Sequence, residues 1–285
     1  MSRSVVRQAY AKVNLTLEVT GRRPDGYHEL CSVFATVGVA DTVRVAVAPA
    51  LDVRIAPDVG AVPGDDLASR AVRAFASASG REARALVRIR KRIPVAAGLG
   101  GGSSDAGAVL RCLASLWHLP PPGAEVAAGV GSDVPFFVAG AAFAHVSGRG
   151  EQVRPLPPPP TSLWIVLVLP AVRLATADVF AGFDAAEASD GGSTGRLVQA
   201  FRDGSVDAAI LRDCARNDLD RAATRACGWI ADARASARQR DVTLHLSGSG
   251  PAHFAIADDR ADALRVGRAL RRAGLRARPL PLGVE

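Results

Sequence analysis

At 285 residues the chain is long enough for two compact lobes, and 48% hydrophobic against 22% charged residues excludes a disordered polymer. A net charge of +7 would suit a polyanion, but the basic residues are spread along the chain. The 5% aromatics interleave no stacking motif with them, which argues against nucleic acid as a partner.

The N-terminus has no apolar stretch behind Arg3 and Arg7, so no signal peptide is expected. From Lys12 the residues alternate, with Val13, Leu15, Leu17 and Val19 on one side and Lys12, Asn14, Thr16 and Glu18 on the other. That is the period of a strand, and it sets Lys12 and Asn14 on one face about 7 Å apart. Thr20–His28 is dense in turn formers and reads as a loop. Strands follow near Cys31–Val39 and Thr42–Val47, then helical spacing over Asp66–Ala78. Ala85–Ile93 alternates again and carries Lys91 on its apolar side, an unusual place for a lysine unless it meets an anion or reaches an edge.

Next comes Pro94-Val95-Ala96-Ala97-Gly98-Leu99-Gly100-Gly101-Gly102-Ser103-Ser104-Asp105, followed by apolar residues at helical spacing from Ala106 to Trp117. The unit is strand, glycine loop, helix, with the helix opening at Ser103, Ser104 or Asp105. Glycines let backbone amides approach an anion, and the helix dipole adds positive potential at the same place. The loop lacks the Gly-Lys-Ser/Thr ending of a Walker loop and the third glycine of a dinucleotide fingerprint.

A second loop, Gly131-Ser-Asp133-Val-Pro135, precedes the apolar run Phe136–Val138. The structural alternative for Asp133 is a helix cap or a turn aspartate. The proline run at 155–160 reads as a linker dividing 1–156 from 161–285. The second part opens with Leu163–Leu169, a buried strand far short of the ~20 residues that cross a bilayer. Helices to about residue 240, a strand Val242–Leu246, a loop Ser247–Gly250, a strand Ala252–Ala257, a helix Arg260–Arg272 and a short last strand complete it.

Only two of the 35 basic residues are lysines, Lys12 and Lys91. A chain that otherwise uses arginine keeps an ammonium where a compact cation is needed, so both mark sites of special geometry. The four cysteines have neither Cys-x-x-Cys spacing nor a nearby histidine pair, the pattern of free thiols in a cytoplasmic protein.

The segment Pro94–Ser104 resembles the phosphate loop of the GHMP small-molecule kinases. Ala11-Lys12-Val-Asn14-Leu, Arg22-x-x-Asp-Gly-Tyr27-His28-Glu-Leu30, Gly131-Ser-Asp133-Val-Pro135-Phe-Phe, Gly148-x-Gly150-Glu151 and Leu246-Ser-Gly-Ser-Gly250 narrow the likeness. In that order, from about residue 9 to 257, they resemble the branch that phosphorylates a cytidine-diphosphate alcohol for non-mevalonate isoprenoid synthesis. The resemblance implies an α+β fold with a ribosomal-S5-like N-terminal lobe, a ferredoxin-like C-terminal lobe and the site between them. It implies ATP and Mg²⁺, with Ser103, Ser104 and Asp133 as candidate oxygen ligands beside water.

It also implies Asp133 as general base with Lys12 as partner, and Pro94 through Ser104 together with Lys91 on the nucleotide side. Asn14, Tyr27, His28, Thr176 and Phe180 would hold the substrate, with Tyr27 and Phe180 sandwiching the cytosine. Where the family often has an adenine-contacting asparagine this chain has Asp66, which accepts hydrogen bonds but cannot donate them.

Overall fold

The computed structural model describes residues 3–58, 60 and 64–284. Two 19-residue strands, β1 (Ser4–Arg22) and β2 (His28–Ala46), open the chain as a long antiparallel hairpin. Then follow β3 (Asp52–Ala56), α1 (Leu67–Ala78), β4 (Leu86–Arg90), α2 (Gly101–Trp117), α3 (Ala124–Val130), α4 (Val134–Ala139), β5 (Phe143–Gly148) and β6 (Gln152–Pro155). Beyond the prolines come β7 (Trp164–Leu169), α5 (Thr176–Ala181), α6 (Gly192–Arg202), α7 (Ala208–Cys214), β8 (Arg216–Asn217) and α8 (Asp220–Ala226). The chain ends with α9 (Gly228–Arg238), β9 (His245–Leu246), β10 (His253–Ala257), α10 (Arg260–Arg272) and β11 (Arg276–Pro281).

The first sheet runs β3-β4-β2-β1-β8, with β5 on the other half of β2 and β6 beyond it. The second sheet runs β11-β7-β10-β9, antiparallel throughout. One core lies between the sheets, where Val13, Leu15 and Val33 meet Ile165, Leu167 and Phe254. A second fills the space between the first sheet and α1 and α2, and a third lies under α9 and α10. The layers therefore run helices, sheet, sheet, helices, as sheets apolar on both faces require, since each face needs a cover.

β1 departs from a half-buried strand. Its polar side is as covered as its apolar side: Lys12, Asn14, Thr16 and Glu18 are all buried. Each therefore needs a partner. Thr16 Oγ1 accepts from Thr194 Oγ1 at 2.8 Å, and Glu18 accepts from the Thr194 backbone amide at 2.6 Å, capping the start of α6. A register shift between Asn14 and Thr16 divides the strand's apolar residues. Ala11, Val13 and Leu15 enter the core between the sheets, while Leu17 and Val19 join a separate cluster with Leu174 and Val179 beside α5.

Several boundaries differ from the sequence expectation. The two strands expected within residues 31–47 are the single β2, continued through Asp41, which is fully buried. The run Phe136–Val138 is part of a helix that starts on Val134-Pro135, where proline's missing amide is harmless. Only His245 and Leu246 of the expected 242–246 strand pair with β10, although Val242 and Leu244 remain buried.

Candidate active site

A cleft of about 890 Å³ opens on the face of the first sheet that carries Lys12 and Asn14, bordered by the loop before α2, by α5 and by the loop after β9. Lys12, Asn14, Tyr27, His28, Asp66, Lys91, every residue from Pro94 to Ser103, Asp133, Thr176 and Phe180 line it. Ser104 does not. Its hydroxyl donates to Tyr10 O at 2.6 Å and it is buried behind the helix, because a position one turn inside α2 faces the sheet. α2 also begins earlier than expected, at Gly101, with Gly100 in a left-handed conformation and no side chain capping the end. The serines and Asp105 are thus inside the helix, and its first amides are left open.

The loop before α2 is held by its carbonyls. Leu174 N donates to Ala96 O, Ala252 N to Ala97 O, Ser247 Oγ to Gly98 O and Lys12 N to Leu99 O, all at 3.0–3.2 Å. In a trans peptide the amide points opposite to the preceding carbonyl. The amides of Ala97, Gly98, Leu99 and Gly100 are therefore turned away from these partners. The glycines serve packing as well as access. A methyl on Gly98 would stand 2.2 Å from Ser247 O, and one on Gly100 would stand 3.1 Å from Lys12 Cγ and Phe137 Cζ.

Lys12 Nζ lies 3.4 Å from Asp133 Oδ2, donates to Asn14 Oδ1 at 2.6 Å and sits 4.5 Å over the Phe34 ring. Asn14 in turn donates to Ser32 Oγ at 3.0 Å, so the lysine is fixed from behind. Asp133 occupies the N-cap position of α4, yet its carboxylate caps nothing. It is 29% exposed against 5% for Lys12, which leaves an oxygen accessible from the cleft.

On the other side of the loop, Lys91 Nζ bridges Asp41 Oδ2 at 2.5 Å and Asp105 Oδ2 at 2.6 Å. Burial lowers the Lys91 pKa, but Asp105 and Asp41 outweigh it and the net shift is upward. Burial pushes the Asp105 carboxyl up to about 7 against the pull of Lys91. Both directions follow from one ammonium shared between two desolvated carboxylates. Asp66 spends both oxygens capping α1, on Ser69 N at 2.8 Å and Ser69 Oγ at 2.6 Å.

The aromatic end differs from a simple sandwich. His28 itself stacks on Phe180, with centroids 5.2 Å apart and planes 24° apart, and Phe183 meets its edge. Tyr27 is half exposed under the Arg149 guanidinium at 5.2 Å. Burial lowers the His28 pKa, with a smaller push from Arg22, so the ring carries one donor and one acceptor at neutral pH. Thr176 Oγ1 and Ser249 Oγ are 2.9 Å apart, joining α5 to the loop after β9. Sequence reasoning missed Asp41, Ser249 and Phe183. Ser249 lay within a quoted motif, but nothing local marked Asp41.

Comparison with known proteins places this geometry in a family. The GHMP kinases N terminal domain matches residues 66–141, and the GHMP kinases C terminal domain matches residues 197–275. A 4-diphosphocytidyl-2-C-methyl-D-erythritol kinase from Cereibacter sphaeroides is 39% identical over 272 residues, 93% of this chain and 94% of the relative. The chain belongs to the 4-diphosphocytidyl-2-C-methyl-D-erythritol kinase family. It is accordingly a small-molecule kinase of the GHMP type. The family's relative from Ralstonia pickettii is 38% identical over 88% of this chain and 84% of its own. A solved 4-(cytidine 5'-diphospho)-2C-methyl-D-erythritol kinase is 32% identical, with a TM-score of 0.79 over 99% of this chain and 100% of that one. A homoserine kinase from Cytophaga hutchinsonii shares the fold at 18% identity, with a TM-score of 0.74 over 99% of this chain and 95% of that one.

Proposed function

We propose that this chain transfers the γ-phosphoryl group of ATP to the 2-hydroxyl of 4-diphosphocytidyl-2-C-methyl-D-erythritol, a step of non-mevalonate isoprenoid precursor synthesis. The observation that carries the reading is the Lys12–Asp133 pair, 3.4 Å apart at the cleft wall beside a helix start that no side chain caps. Asp133 takes the proton of the substrate hydroxyl as its oxygen attacks phosphorus, and Lys12 steadies the charge on the reacting oxygens. The open amides from Ala97 to Ser103 hold the phosphates, a preorganised set of donors that need not reorient as charge moves. Asn14 orients Lys12 and meets the alcohol. Tyr27, His28, Thr176 and Phe180 form the cytosine end, where rings favour a flat base over an aliphatic chain.

Among the described residues no three His, Cys, Asp or Glu side chains gather as a metal cage. Mg²⁺ is thus proposed as part of the substrate, MgATP, carried mainly by phosphate and water oxygens. It neutralises phosphate charge when bound. The same reading divides the chain into working lobes 1–156 and 161–285. Among the described residues no helix is long and apolar enough to cross a membrane, and all four cysteines are free, which supports a cytoplasmic location. The test is ADP release with the cytidine-diphosphate alcohol beside homoserine and mevalonate. Turnover confined to the cytidine substrate is expected; preference for a plain alcohol would sink the proposal.

A further inference from the structure

Asp41 and Asp105 have no part in the chemistry proposed above, yet both are buried beside the nucleotide side of the cleft, and Asp105 lines it. Asp41 is on β2 and uses both oxygens. Oδ1 accepts the backbone amides of Arg92 and Ile93, where the chain leaves β4 for the loop, and Oδ2 accepts from Lys91. Asp105, one turn into α2, accepts from the same ammonium through Oδ2. Its other oxygen is buried with no protein partner. The Lys91 nitrogen stands 3.5 Å from where a methyl on Gly101 would sit, against the first residue of α2. Three separate elements therefore meet at one nitrogen: the middle of β2, the end of β4 and the first turn of the phosphate-facing helix.

We propose that Asp105 and Asp41 are positioning residues for the nucleotide half of the site, clamping Lys91 under Gly101 so that the loop and the first turn of α2 keep the geometry ATP requires. This rests on the kinase reading and deepens it. The clamp explains why lysine survives here in a chain that uses arginine at 33 of its 35 basic positions. A forked, planar guanidinium is too wide for the gap between two carboxylates and a glycine, whereas a tetrahedral ammonium fits. Lys12 has the same relation to Gly100, with its Cγ and Cε 3.1 and 3.2 Å from the methyl position. Each lysine is thus seated against one glycine of the loop, Lys12 against Gly100 and Lys91 against Gly101.

The experiment compares Asp105→Ala, Asp105→Asn and Lys91→Arg with the parent. It measures ATP affinity by calorimetry, KM for ATP, KM for the cytidine substrate and the thermal midpoint. Loss of the clamp displaces the loop by a fraction of an ångström to an ångström, so Asp105→Ala should weaken ATP binding by about tenfold to a hundredfold. KM for the cytidine substrate should stay within about twofold, because that end is held by other elements. Asparagine keeps an acceptor for Lys91 and should restore most of the ATP affinity. Lys91→Arg keeps the charge and should weaken ATP binding like Asp105→Ala. Parental ATP affinity in Asp105→Ala would overturn the inference, as would equal rises in both KM values or an asparagine variant no better than alanine. If Asp105→Ala does not fold, Lys91→Arg and Asp105→Asn decide. Parental affinity in Lys91→Arg refutes the clamp, and weakened affinity there with recovery in Asp105→Asn supports it. A parent that binds no ATP would instead refute the kinase reading itself.

Discussion

Replacing Gly98 by alanine tests how the phosphate loop is held. The residue has φ +76°, and an added methyl would meet Ser247 O at 2.2 Å and Gly250 N at 2.9 Å. Ordinary contact begins at 3.4 Å, so the two loops must part by 3.4 − 2.2 = 1.2 Å along that line. Neither is free to move. Gly98 O accepts from Ser247 Oγ, Ala97 O accepts from Ala252 N, and Ser247 N is bonded to Ala252 O. A left-handed alanine costs about 1–2 kcal/mol, and two strained or lost hydrogen bonds cost about 1 kcal/mol each. The sum, about 3–4 kcal/mol, is a large part of the roughly 5–15 kcal/mol that holds a domain, so the protein should fold but melt early. An ångström of misplacement at the phosphates should cut kcat/KM for ATP by about a hundredfold. The control is Gly102→Ala, where the nearest atom, Leu67 Cδ1, is 3.4 Å away and the helix gains up to about 1 kcal/mol. Thermal melts and steady-state kinetics on both variants decide. A Gly98→Ala protein as stable as its Gly102→Ala control, with parental kinetics, would refute the packing argument.

Three further outcomes are expected. Asp133→Asn should retain folding and ATP affinity while losing at least about a hundredfold in kcat, measured by ADP release, because the amide cannot take the proton. Near-parental kcat would remove the general-base role. Lys12→Arg keeps its charge but must fit against Gly100, so it should lose both activity and stability; normal turnover would dispose of the seating argument. His253 is wholly buried, and burial first, then the Arg234 charge, holds its pKa down to about 4 from 6.5. Between those values the unfolded chain takes a proton that the folded one refuses. Stability present above pH 6.5 is therefore lost as pH falls towards 4, by up to about 3 kcal/mol. Asp105 titrates in the opposite sense, so the informative quantity is the difference between the parent and His253→Asn in how the stability from urea melts changes with pH. Identical pH slopes would contradict the burial argument.

Much of this site was legible because its residues are close in sequence or rare in type. Lys12 and Asn14 declared themselves by alternation, Lys12 also by the scarcity of lysine, and the loop by its glycines. α10 was expected over Arg260–Arg272 and is found there, since amphipathic spacing and the Asp259 cap are local. What was not legible depends on distance along the chain. Asp41 broke the apolar pattern of β2 and made one strand look like two, because its partner, Lys91, arrives fifty residues later. The start of α2 was misjudged for a related reason. Serine and aspartate usually cap helices, and here the cap is a glycine whose open amides face the cleft. The ring of His28 against Phe180 joins residues that no local period connects.

β8 lies past the proline run in sequence, yet Arg216 and Asn217 lie beside Thr16 and Leu17 as the sheet's outermost strand. At the far end of the chain, Leu282 bridges Val37 and the Gly283 amide reaches Thr36 O. The prolines at 155–160 are thus a crossing between interlaced parts, and a cut there would not release two free-standing bodies. A nicked molecule should run as one particle on a sizing column, and the N-terminal fragment made alone would lack the border strand that the other supplies.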